Sequence, residues 1–149
     1  MKLKKLGFWV IVGMICCLII VWVGFVYSDQ YQILPDPSTV KSITAKIDNS
    51  RRKLPNIPVF DVPREDIPII LQCLEPAERE FMAPNWPLVG ELKLTTDRGM
   101  EIEVHLFWTD AQRGAFAVGP WGRQHYYRAG NDSKTEDMIR NAYAKTLKK

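Results

Sequence analysis

The alternation between residues 88 and 108 constrains the fold of this chain more than any other feature. Leu88, Gly90, Leu92, Leu94 and Thr96 alternate with Val89, Glu91, Lys93 and Thr95. After the turn Asp97-Arg98-Gly99, Ile102, Val104, Leu106 and Trp108 alternate with Glu101, Glu103, His105 and Phe107. Period two sends successive side chains to opposite faces, so each run reads as a half-buried strand and the pair as a hairpin. Asp110 to Gly114 turns the chain again, Ala115 to Val118 reads as a third strand, and Gly119-Pro120-Trp121-Gly122 leads into a fourth over Arg123 to Arg128. The expectation is a four-stranded antiparallel meander.

Two helices are expected to cover one face of it. Pro63, Glu65, Asp66 and Pro68 suit a helix start, where a missing proline donor is tolerated and carboxylates meet the positive end of the dipole. Ile67, Ile70, Leu71 and Leu74 give that helix, near 64–74, an apolar stripe. Near 133–146 a second helix opens on Asn131-Asp132-Ser133, with Ser133 and Glu136 at capping-box spacing and Met138, Ile139, Ala142 and Tyr143 as its covering face. Val59 to Val62 reads as an entering strand, and Glu78 to Pro87 as an irregular connection carrying Phe81, Met82 and Trp86. The fold class read from these patterns is α+β, a small domain with helices on one face of a mostly antiparallel sheet.

Upstream, the apolar run Leu6 to Tyr27 follows Lys2, Lys4 and Lys5 and ends at Ser28 and Asp29. As a helix its 22 or so residues would span roughly 33 Å, enough to cross a hydrocarbon core of about 30 Å. The expectation is a single-pass transmembrane signal-anchor that partners the lipid bilayer through residues 6–27. The lysines place the N-terminus in the cytoplasm and the C-terminal domain in an extracytoplasmic space, across the plasma membrane or a bacterial inner membrane. A cleaved secretory signal is the alternative, because Val26-Tyr27-Ser28 offers a tolerable peptidase site, although the run exceeds the usual apolar core of about 7–15 residues. The expected organisation is then a basic segment (1–5), the anchor (6–27), a stalk (28–56) and the α+β domain (57–149). Pro35 and Pro37 mark the stalk as extended, Val40, Ile43 and Ile47 suggest a short helical face within it, and Arg51, Arg52 and Lys53 form a small basic run.

Charge and cysteine content exclude several classes. Of 20 Lys and Arg, Lys2, Lys4 and Lys5 precede the run, while all 17 Asp and Glu lie at Asp29 or beyond, which leaves 17 of each sign downstream. A formally neutral domain gives no electrostatic footprint for a nucleic acid, and none is expected as a partner. Cys16 and Cys17 lie within the run, so Cys73 has no disulfide partner downstream and reads as a small buried apolar residue.

The catalytic inventory is sparse. The sequence has no phosphate-cradling glycine loop, no His-Glu-x-x-His, no paired-cysteine zinc spacing and no calcium-loop run, so neither a metal nor a cofactor is expected. His105 and His125 fall on the second and fourth meander strands, about 9.5 Å apart at twice the strand spacing, which makes a shared metal site awkward, and no third ligand is evident. Glu101 and Glu103 occupy the polar phase of an amphipathic strand and read as a solvated face. The binding candidates are Trp121, Arg123, His125, Tyr127 and Arg128, since aromatic faces and guanidinium groups engage sugars, anionic polymers and protein surfaces. The leading expectation is a membrane-anchored interaction module that meets an envelope polymer or a membrane-protein partner. The alternatives are a small tethered hydrolase using His105, Asp110 or His125 between sheet and helix, and a structural assembly subunit. Asn131-Asp132-Ser133 also matches an N-glycosylation acceptor.

Overall fold

The computed structural model of the chain describes residues 12–20, 33–50, 52–80, 85–109, 114–129 and 132–148. By its contacts the chain divides into two units, Met1–Tyr31 and Gln32–Lys149. In the first, residues 12–20 are helical, and Met14, Ile15, Leu18, Ile19 and Ile20 are exposed. Among the described residues no helix is long and apolar enough to cross a membrane. That finding corrects the single-pass anchor, and with it the inside-to-outside topology and extracytoplasmic placement drawn from it. The rest of the expected span, 6–11 and 21–27, lies outside the described residues.

The second unit is built on one antiparallel sheet of seven strands, in the order β2-β1-β4-β5-β6-β7-β3. These are β1 (Val40–Ile47), β2 (Ile57–Asp61), β3 (Ala77–Glu80), β4 (Leu88–Thr96), β5 (Glu101–Phe107), β6 (Ala115–Val118) and β7 (His125–Ala129). Four consecutive strands, β4 to β7, pair in chain order. The expected four-stranded sheet is nevertheless too small, because three further strands extend it at both edges.

Each added strand has a physical reason. Residues 40–47, expected as a short helix in a stalk, form β1 and pair with β4. Ile43, Ala45 and Ile47 alternate with Thr44 and Lys46, and the pairing shifts register between Val40 and Ser42. That irregularity turns Val40 inward out of phase, which reproduces a three-residue helical spacing within a strand. β2 follows from the Val59-centred run and pairs Ala45 with Phe60. β3 occupies the start of the supposed irregular connection and closes the far edge, with Glu78 opposite Arg128 and Glu80 opposite Tyr126.

A short helix (Ile67–Cys73), entered through a 3-10 turn at Arg64–Asp66, and a C-terminal helix (Asp132–Thr146) pack on one face. Ile67, Ile70, Leu71, Leu74, Ile139 and Ala142 join Ile43, Ile47, Leu92, Leu94, Val104 and Phe116 in a single apolar core. Phe60 and Tyr143 meet there with ring centroids 5.1 Å apart. Gly90 is required at its place in β4, since a Cβ there would lie 2.3 Å from the Lys46 carbonyl oxygen. The segment before β2 is tied to the C-terminal helix by an Arg52–Asp137 ion pair and by Arg140, whose Nη1 donates to the Pro55 carbonyl at 2.8 Å.

Candidate functional site

Among the described residues of the second unit, no helix packs on the opposite face of the sheet. Register alignment sets Lys46 against Glu91, Thr44 against Lys93, Glu91 against His105 and Lys93 against Glu103 across β1, β4 and β5. These are the residues left facing outward once Ile43, Ala45, Leu92, Leu94 and Val104 have turned to the core. Lys46 Nζ lies 3.0 Å from Asp48 Oδ2 and 3.3 Å from Glu91 Oε2, and Lys93 Nζ lies 2.9 Å from Glu101 Oε2. The hydrogen bond that the Lys46 ammonium donates to Asp48, reinforced by Glu91, holds it above its ordinary value against partial desolvation, and the bond to Glu101 does the same for Lys93.

His105 is the unusual member of this face. It is 5 % exposed although it sits among charged side chains. Its Nε2 lies 3.2 Å from the Gly119 carbonyl oxygen. A carbonyl only accepts, so the hydrogen sits on Nε2, and in the neutral ring Nδ1 carries the lone pair. Buried Nδ1 has no hydrogen-bond partner among the described residues, with Glu91 Oε1 standing off at 3.7 Å. On the other side of the ring, Glu103 Oε2 is 3.9 Å from Nε2.

The turn between β6 and β7 supplies the lid of His105. Gly119 (φ 114) and Gly122 (φ 86) take backbone conformations that favour glycine, and Arg123 N–H donates to the Pro120 carbonyl at 3.0 Å. Gly119 N–H in turn donates to the Glu103 carbonyl at 3.0 Å, which fastens the turn to β5. The turn sets Trp121 nearly perpendicular to His105, with ring centroids 5.1 Å apart and 64 % of the tryptophan exposed. Val59, Thr44, Lys46, Glu91, Lys93, Glu103, His105 and Trp121 border an open concavity of about 490 Å³.

The five residues expected to form one binding strip do not share a surface. Trp121 borders the concavity, and Arg123 is exposed in the turn. His125 pairs with Val118 and lies in the opposite phase, with Nδ1 3.4 Å from Arg79 Nη2. Tyr127 stacks on Phe116 at 5.4 Å and belongs to the helix-covered core. Arg128 faces the open side beyond the concavity, ion-paired with Glu80 and with its guanidinium 5.1 Å from the Trp86 ring. His105 and His125 therefore occupy opposite faces, which separates them more decisively than strand spacing alone. Asp110 and Asn131 lie outside the described residues. Among the described residues no group of three or more His, Cys, Asp or Glu is placed to hold a metal ion.

Sequence reasoning missed Thr44, Lys46 and Val59 because the strands that carry them were not both foreseen. The signal was present in the alternation of Thr44 and Lys46 with Ile43, Ala45 and Ile47. A second concavity, about 410 Å³, lies between the two helices beside the Asp66–Lys145 pair. Its walls include Ile69, Ile70, Met138 and Ala144, and no aromatic side chain lines it. No protein-family model matches the chain, and no curated protein or solved structure matches it.

Proposed function

We propose that this domain is a binding module and that its ligand seats on the open sheet face between Val59 and Trp121. One observation carries the reading: a largely exposed tryptophan is fixed against a buried histidine whose Nδ1 has no partner, at the border of a concavity floored by three paired strands. Exposed aromatic side chains held by a rigid turn are the usual anchors of recognition, and unpaired buried polar atoms gain most from a partner. Among the described residues neither serine nor cysteine lines the concavity, and the two histidines face apart.

The test is site-specific photocrosslinking of the full chain in its native cell. A photoreactive residue in place of Val59, 67 % exposed beside the concavity, is compared with one in place of Ile69, 45 % exposed on the short helix. Adducts are expected from position 59 and not from position 69, and their yield should fall when Trp121→Ala is combined with the probe. Equal yields from the two positions, or none from position 59, would overturn the assignment of the face.

A further inference from the structure

We infer that the open face binds an uncharged, polyhydroxylated chain, a neutral glycan, laid across the strands with one ring against Trp121; this deepens the binding reading of that face and rests on it. The charge arrangement is the first argument. Two cations, Lys46 and Lys93, and two anions, Glu91 and Glu103, line the concavity. Lys46 is already engaged by Asp48 and Glu91, Lys93 by Glu101, and Lys93 also attracts Glu103. A polyanion would have to displace these carboxylates, and a polycation these ammonium groups, each losing a pair to form one. An apolar segment would strip water from all four without replacing its hydrogen bonds, which is costly for charges even when paired.

Hydroxyl groups avoid both penalties. Each one donates and accepts, so it can bond the remaining lone pairs of Glu91 and Glu103 and the Thr44 hydroxyl while the ion pairs stay closed. The unpartnered Nδ1 of His105 suits the same chemistry, because a hydroxyl can donate to it in the neutral ring and accept from it in the charged one. Its nearest charged neighbour, Glu91, is only partly buried, so a hydroxyl drawn to that carboxylate arrives beside the imidazole. Trp121 supplies the apolar half of the match, since a sugar ring presents C–H groups on the face opposite its hydroxyls and an exposed indole offers a flat surface for them. The length also suits a chain: from β2 to β5 there are three spacings of about 4.8 Å, roughly 14 Å in all.

The experiment is calorimetric titration of the full-length protein with hexamers of glucose, mannose and N-acetylglucosamine, and with galacturonate and glucosamine hexamers as anionic and cationic probes. Hydrogen exchange of residues 101–107 and 119–124 locates any binding. At least one neutral hexamer should bind with an affinity that changes less than about twofold between low and physiological salt, because few ion pairs form or break. Exchange should slow in both segments. Trp121→Ala should weaken that hexamer by about tenfold or more, with Trp121→Tyr restoring most of it and both variants fully folded at the titration temperature. Binding confined to a charged hexamer and abolished by salt would overturn the neutral-glycan inference. So would a neutral hexamer indifferent to Trp121→Ala. Absence of all sugar binding alongside specific adducts from position 59 would overturn the ligand class and leave the binding face standing. If both experiments are blank, the two readings fall together.

Discussion

The two faces of the sheet are made by the same strands and could hardly be more different. Ile43, Leu92, Leu94, Val104 and Phe116 on the helix side are at most 1 % exposed, while Thr44, Lys46, Glu91, Lys93 and Glu103 on the other side are all partly open to water. Apolar area removed from water stabilises by about 25 cal/mol per Å², whereas exposed ion pairs contribute roughly 0–1 kcal/mol each. The covered face therefore holds the fold together. The open face is relieved of that duty and can be shaped for a ligand. Even there the division continues, because toward β6 and β7 the face closes over itself: Trp86, Leu88 and Tyr126 pack on Phe107, Ala115 and Ala117.

Substitutions that open the covered face should break the contrast most visibly. Phe116→Ala removes a fully buried ring stacked on Tyr127 and should cost about 3–5 kcal/mol in urea unfolding, enough to threaten folding of a small domain. Gly90→Ala adds a single carbon that would strike the Lys46 carbonyl and Ile47 Cδ1, and should cost about 1–3 kcal/mol by forcing β1 and β4 apart. By contrast Glu103→Gln, on the open face of the neighbouring strand, should change stability by no more than about 0.5 kcal/mol. A loss at Glu103 equal to that at Gly90 would mean the open face is structural after all.

How much of this was legible follows from where the determining contacts lie in the chain. β4 and β5 were readable because their alternation is local and Asp97-Arg98-Gly99 turns one directly into the other. β1 was not, because the register shift beside Val40 disguises its period and its partner β4 lies about fifty residues on. β3 is four residues long and gains its identity from β7, through pairings such as Glu78 opposite Arg128, so nothing local marks it. The site was half legible. Trp121 was singled out for its chemistry, but Tyr127 shared that chemistry and turned out to be core, since only strand phase separates the two faces. His105 was visible as a residue and invisible as a feature, because its burial depends on the Gly119–Gly122 turn folding back onto β5.

Trp121→Ala tests whether stability and recognition are indeed separable. The indole packs on His105 but buries little else, so its removal should cost less than about 1.5 kcal/mol in urea unfolding. If the variant instead unfolds as readily as Phe116→Ala, the turn is part of the core and the contrast between the faces is overstated.

The finest distinction between the faces is in their alkaline behaviour. Burial on the helix side pushes the Cys73 thiol above its ordinary value of 9.0, and on the open face Asp48 followed by Glu91 raises the Lys46 ammonium above 10.5. In both cases the folded chain holds its proton more tightly than the unfolded chain. The associated stability is therefore complete below the unfolded value and is lost as pH rises through the folded one. Cys73 should begin to erode stability above about pH 9 and Lys46 only above about pH 10.5. Urea midpoints measured at intervals from pH 8 to 11.5 should therefore fall in two stages. Cys73→Ala should flatten the first and Lys46→Met combined with Lys93→Met the second, since Glu101 holds Lys93 above its ordinary value as well, and native Cys73 should resist an aqueous thiol reagent at pH 8 until urea unfolds the domain. If Lys46→Met flattened the earlier stage, the buried thiol could not be its origin, and the order of titration would have to be reassigned from the covered face to the open one.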